Sequence, residues 1–127
     1  MKEELKDRTT IEILVRRFYD KVKEDELIGH IFNTMISDWE SHIQLLTDFW
    51  ETNLLFVSKY KGNPPKMHVD VDREMGNVID QQHFDRWLQL WNQTVDESYE
   101  GKLAEQAKYR AGNIAFVLLS KMINART

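Results

Sequence analysis

The four histidines are the side chains of this sequence best suited to bind a transition metal, because the chain contains no cysteine. Disulfides, thiolate metal sites, iron–sulfur clusters and cysteine nucleophiles are therefore excluded. The spacing of the histidines fits no local zinc motif. His30 and His83 lie near predicted helix ends among polar residues, where a surface or capping role is expected. His42 and His68 lie among apolar or aromatic residues, where a histidine is either a hydrogen-bonded core residue or a ligand.

Tyr19 and His42 are predicted to face the protein interior from two separate helices. Tyr19 lies beside the apolar stripe of the first helix, and His42 falls between Trp39 and Leu46 on one face of the third. A buried hydroxyl and a buried imidazole both need partners, and several polar groups that converge suggest a bound ligand. The aromatic content of 11% is also compatible with ordinary core packing, so a compact helical bundle without a ligand stays an alternative.

The elements that must position these side chains are helices. Apolar residues at helical spacing predict helices over about 10–24, 26–32, 81–98 and 102–124. A further long helix is predicted to reach about Val57. Capping boxes at Thr9-x-x-Glu12 and Ser37-x-x-Glu40 are predicted to begin the first and third helices. No segment has a convincing strand pattern, so the expected class is all-α.

The sequence Gly62-Asn63-Pro64-Pro65 ends the long third helix, because two prolines remove backbone donors and restrict the residue before each. The periodicity of residues 66–80 is too weak to assign more than a short turn of helix and a loop. Residues 1–127 are expected to form a single domain.

The composition excludes several classes of function. With 42% hydrophobic and 30% charged residues, the chain has the balance of a globular protein. Its net charge of −4 argues against nucleic acid and anionic membrane surfaces as partners. No apolar run approaches the roughly 18 residues of a membrane span, and no apolar signal segment is present, so a cytoplasmic location is expected. No nucleotide-binding or hydrolase motif is found, and the carboxylates are spaced as solvated helix residues.

An ordered series of short segments resembles the truncated haemoglobins of group III. The segments are Phe18-Tyr19-Asp20-Lys21-Val22, Gly29-His30-Ile31-Phe32, Trp39-x-x-His42, Phe49-Trp50, Tyr60-Lys61-Gly62-Asn63-Pro64-x-x-x-His68, His83-Phe84-Asp85-x-Trp87-Leu88 and Ala107-Lys108-x-Arg110-Ala111. The resemblance extends over about residues 10–120. It implies a truncated globin fold, which is a two-over-two helical sandwich that holds haem b, iron protoporphyrin IX.

The resemblance also implies roles for individual residues around the haem. His68 matches the histidine after the Gly-x-Pro loop, which is the proximal iron ligand in this family. Tyr19 matches the tyrosine that hydrogen-bonds the distal ligand, and His42 matches the histidine that gates or lines the distal pocket. Trp87 matches the distal tryptophan of the family.

Two further residues are expected to contact the haem. Phe32 resembles the phenylalanine that packs on the haem face, and Leu46 lies one helical turn beyond His42. The sequence departs from the family pattern between His68 and Trp87, because residues 69–77 lack the leucine-proline pair that the family often carries. The shape of this proximal segment and its contacts with the haem propionates are therefore not predicted.

The function implied is reversible binding of dioxygen, carbon monoxide or nitric oxide at a histidine-ligated iron, with a reductase as a partner. Neutral imidazole suits haem iron, and donors on the opposite face stabilise partial negative charge on bound dioxygen. A haem enzyme that turns over nitric oxide or peroxide at the same site is an alternative. The third interpretation is a helical interaction module without haem, in which Tyr19, His42 and His68 are polar residues of the core.

Overall fold

The computed structural model describes residues 2–58, 60, 62–77 and 79–126. Within these ranges the chain forms six helices, and α5 and α6 lie within one residue of their predicted ends. The helices are α1 (Arg8–Glu24), α2 (Gly29–Met35), α3 (Trp39–Leu55), α4 (Pro64–Glu74), α5 (Gln81–Ser98) and α6 (Lys102–Ala125). Helix α2 begins three residues later than expected, and α3 ends two residues earlier than expected.

Side chains of aspartate or asparagine cap four of these helices at their N-termini. Asp7 caps α1 in a capping box with Thr10, and Asp38 accepts a hydrogen bond from the Ser41 backbone N–H at the start of α3. The capping boxes predicted at Thr9 and Ser37 are therefore wrong, since each cap lies at a neighbouring aspartate. Aspartate caps as well as serine or threonine does, so the sequence offered two candidates within two residues.

Helix α4 begins within the break that the two prolines make. Asn63 is the N-cap and accepts a hydrogen bond from the Lys66 backbone N–H, while Pro64 and Pro65 occupy the first two helical positions. Proline is tolerated there because those backbone N–H groups have no partner inside the helix. The segment predicted to hold only a short turn of helix is thus an 11-residue helix that carries His68.

The long helices pack as two layers, which is the two-over-two arrangement expected from the sequence. Helix α1 contacts α3 in one layer, α5 contacts α6 in the other, and α1 also packs on α5. Three indoles stack at the centre, with ring centroids 4.6 Å apart for Trp50 and Trp91 and 6.4 Å apart for Trp91 and Trp87. Contrary to expectation, two short strands are present, β1 (Glu3–Glu4) and β2 (Tyr99–Glu100), and they pair in parallel.

The buried apolar residues form two core clusters, of which the first surrounds the stacked indoles of Trp50 and Trp91 and the second lies beside α2. Gly29 begins α2 against the end of α1, where an added Cβ would lie 2.9 Å from the Val22 carbonyl oxygen. The second cluster joins α2, α5, α6 and the loop after α4, and consists of Ile31, Ile79, Phe84, Ala115, Leu118, Leu119 and Met122. None of the described helices combines the length and apolar character that crossing a membrane requires.

Candidate functional site

A cavity of about 470 Å³ lies between the two core clusters, and all six helices contribute to its wall. This volume is within the range of about 300–1,000 Å³ that is typical of small-molecule and cofactor sites. Most of its lining is aliphatic or aromatic. The lining residues with polar or ionisable groups are Tyr19, His42, Trp50, Tyr60, His68, Asp70, His83 and Trp87. A cavity of this kind suits a large apolar ligand that is oriented by a few polar contacts.

Tyr19 and His42 form a polar pair in the wall. The Tyr19 hydroxyl lies 3.3 Å from His42 Nε2, within hydrogen-bond distance. Tyr19 is only 4% exposed, and burial raises the pKa of its hydroxyl well above the usual value, so it stays protonated. Burial, with a smaller contribution from the charge of His68, lowers the pKa of His42 to about 4. At neutral pH the pair is therefore uncharged and can donate a hydrogen bond into the cavity.

Aromatic contacts fix the orientation of this pair. The Tyr19 ring packs at steep angles against Phe32, Trp39 and His42, with centroid separations of 5.8, 5.6 and 5.1 Å. Phe32 lies on α2 and Trp39 on α3, so the contacts join three helices around one hydroxyl. The prediction that Tyr19 and His42 face the interior together from separate helices is confirmed.

Trp87 lines the same cavity from α5. Its indole stacks on Trp91 and meets Phe18 edge-on at a centroid distance of 5.8 Å. In the part of the chain that the structure describes, no group accepts a hydrogen bond from the Trp87 indole. Because an indole N–H can only donate, it remains available to a ligand.

His68 enters the cavity wall from the second turn of α4. Its Nδ1 lies 2.8 Å from the Pro64 carbonyl oxygen, four residues earlier in the same helix. A carbonyl oxygen only accepts, so Nδ1 carries the proton and Nε2 keeps its lone pair. Burial lowers the pKa of His68, although this hydrogen bond opposes the shift. The imidazole is thus held neutral in the tautomer that metal-bound histidines use.

The structure brings all six of the predicted site residues to one cavity, since Phe32 and Leu46 also line it. It also adds residues that the sequence patterns did not assign to a site, including Tyr60, Phe84 and His83. Of the surface or capping role expected for His83, the structure shows the capping one, because its Nδ1 accepts a hydrogen bond from the Asp80 backbone N–H at 3.0 Å. Its position in the cavity wall could not be read from its place near a helix end.

The donor set fits haem better than a metal ion held by protein side chains alone. Within the described ranges, no three histidine, aspartate or glutamate side chains converge on a point that could hold a metal ion. One neutral imidazole with a free Nε2, in an apolar cavity with donors supplied by other helices, matches what haem iron needs from a globin.

Comparisons with known proteins give one consistent result. The family model of the bacterial-like globins matches residues 3–117. Over 119 residues the chain is 31% identical to the Group 3 truncated hemoglobin ctb of Campylobacter jejuni, covering 91% of this chain and 90% of that protein. The crystal structure of a group III truncated hemoglobin from Campylobacter jejuni superposes with a TM-score of 0.85 at 29% identity, covering 96% of this chain and 95% of that one.

Proposed function

This chain belongs to the bacterial-like globins, among the group III truncated haemoglobins, and we propose that it binds haem b through His68 and reversibly takes up diatomic gases. That it is a haem-binding globin follows from the family. The proposal concerns three further points, which are His68 as the iron ligand, the identity of the gases and the roles of the individual residues. The observation that carries it is the hydrogen bond from His68 Nδ1–H to the Pro64 carbonyl, which leaves Nε2 as a lone-pair donor on an apolar cavity.

His68 is the proximal ligand in this proposal. Haem iron supplies the reversible coordination of a gas molecule when the cofactor is bound. The Pro64 carbonyl holds the imidazole in one tautomer and raises its basicity, as backbone carbonyls do for metal-bound histidines in general. Burial favours the neutral form of the imidazole, which is the form that binds a metal.

Tyr19, His42 and Trp87 form the distal side. The Tyr19 hydroxyl has one proton, which it can donate either to His42 Nε2, 3.3 Å away, or to a bound ligand. If the His42 proton is on Nε2 instead, His42 is the donor of the pair. Donors on this side would stabilise a ligand that carries partial negative charge, as dioxygen would on haem iron, more than they would stabilise carbon monoxide. Phe32 and Leu46 supply apolar contacts to the macrocycle and keep water out.

Dioxygen, carbon monoxide and nitric oxide are the ligands proposed for this site. A separate reductase is included in the proposal, because reversible binding of dioxygen needs ferrous iron and electrons must come from a partner.

A haem titration of the purified cofactor-free chain tests the proposal. The expected result is saturation at one haem per chain, with the absorption spectrum of a histidine-ligated haem. His68→Ala is the matched variant and should lose or greatly weaken the attachment, while His42→Ala should retain it. A titration without saturation would overturn the haem function and favour the helical interaction module.

A further inference from the structure

Haem b brings two propionate carboxylates to a cavity that is mostly apolar, and this inference rests on the proposed haem function. A carboxylate at such a site needs hydrogen-bond donors, because an unpaired charge away from water is costly. The lining offers few. Among the described residues, Tyr19 and His42 bond to each other, and the Nδ1 proton of His68 is taken by the Pro64 carbonyl. The Trp87 indole belongs to the proposed distal side, and Tyr60 contributes a neutral hydroxyl.

Among the described residues, Asp70 is the only acidic one in the lining, and it lies beside two cations. Its carboxylate lies 3.1 Å from Lys66 Nζ and 3.9 Å from Arg73 on the outer part of α4. Asp70 and Lys66 are largely exposed, so this part of the wall borders solvent. The charged ends of an amphiphilic ligand belong at such a border.

Among the described lining residues, His83 is a basic one whose free ring nitrogen can donate a hydrogen bond. Its side chain is only 11% exposed, and its Nδ1 accepts the Asp80 backbone N–H at 3.0 Å, with Asp80 Oδ1 at 3.1 Å. Within the described part of the chain, its Nε2 has no hydrogen-bond partner. Because Nδ1 accepts, the neutral ring carries its proton on Nε2, and the protonated ring also carries one there. Nε2 is therefore a donor in both forms.

We propose that His83 binds a carboxylate of the porphyrin, with Nε2–H donating the hydrogen bond and the capping box at Asp80 holding the ring in place. The N-terminus of α5, an 18-residue helix, adds a favourable electrostatic contribution, since the first turn of a helix attracts negative charge. One side chain thus begins α5 and recognises the acid groups of the cofactor. The contact selects porphyrins that carry free propionates.

The test compares haem with its dimethyl ester, which has the same macrocycle and iron but no carboxylate charge. Both are titrated into the full cofactor-free chain, for the wild type and for His83→Glu. Glutamate is a usual residue at the third position of a capping box, so this variant keeps the helix cap while it replaces a donor by a negative charge. Thermal unfolding of the cofactor-free variant checks that the cap is kept.

For His83→Glu we expect the dissociation constant of haem to rise about 10- to 100-fold, as for loss of a hydrogen bond to a charged group. That of the dimethyl ester should stay unchanged. Equal weakening of both by His83→Glu, or no change in either, would overturn the proposal. If the wild type binds neither porphyrin, the haem function itself fails, and this contact fails with it.

Discussion

Removal of the Arg126 guanidinium should destabilise the fold strongly, because it leaves a buried carboxylate without its charged partner. Asp72 is 2% exposed and receives two hydrogen bonds of 2.8 Å from Arg126. Arg126 also donates to the Ile79 carbonyl, and the Ile79 N–H donates to Asp72. Asp72 lies one turn beyond His68 on α4, and Ile79 lines the cavity, so these bonds join the end of α6 to the part of the cavity wall that carries His68.

The expected cost follows from the burial of the two partners. Breaking a buried ion pair by removing one partner costs about 3–5 kcal/mol. The Arg126 side chain is 26% exposed, so water can reach part of the vacated space, and we expect a loss of about 2–3 kcal/mol in the free energy of unfolding. Arg126→Met is the preferred variant, because it keeps much of the apolar stem and removes only the charged group.

Urea unfolding of the cofactor-free chain, followed by tryptophan fluorescence, measures this loss. Lys108→Ala is the control, because Lys108 pairs with the well-exposed Asp96 and such pairs contribute at most about 1 kcal/mol. Adding Asp72→Asn to Arg126→Met should restore part of the stability, since it removes the unpaired charge. If Arg126→Met costs no more than Lys108→Ala, or if Asp72→Asn makes the variant worse, the reasoning is refuted.

Three further predictions concern the cavity. Tyr19→Phe should speed dioxygen dissociation about 10- to 100-fold and change carbon monoxide much less in stopped-flow displacement, whereas equal changes would indicate a steric role. His68→Ala should abolish or severely weaken haem attachment while His42→Ala retains it, and the reverse result by absorption spectroscopy would exchange the two assignments. The pKa of His42 is lowered from 6.5 to about 4, so between these values the unfolded chain binds more protons than the folded chain. The free energy of unfolding of the cofactor-free chain should therefore fall as the pH drops through this range, and His42→Gln should make the fall shallower in urea titrations at successive pH values.

The accuracy of the helix predictions depended on how many local signals agreed. In α5 and α6 the apolar spacing is regular and each start is marked by a distinct residue, Asp80 or Gly101, so the bounds came out within a residue. At the start of α1 several capping residues stand side by side, and local preference alone did not distinguish Asp7 from Thr9. Helix α4 was missed because Pro64 and Pro65 were interpreted only as the end of α3. Prolines are also common in the first turn of a helix, and here they begin α4.

The site residues likewise differ in how far local sequence predicted them. Helical spacing alone predicted that Tyr19 and His42 face inward, but His68 was assigned only through the family resemblance, because the pattern around it is weak. The capping role of His83 is a local property, and it was one of the two roles expected from its place near a helix end. Its place in the cavity wall depends on how α5 packs beside α4 and α6, and no short stretch of the sequence determines that packing.

By itself, the sequence determined the all-α class, the approximate helices and the side chains able to bind a metal, because these depend on residues within a few turns of one another. The resemblance added the family and the proximal histidine. Only the tertiary structure decided that α4 is a full helix, that His83 borders the cavity and that Arg126 clamps Asp72, 54 residues away in the chain. Apolar periodicity indicates which face of a helix is buried but not which other face it meets, and these contacts depend on the packing of the whole chain.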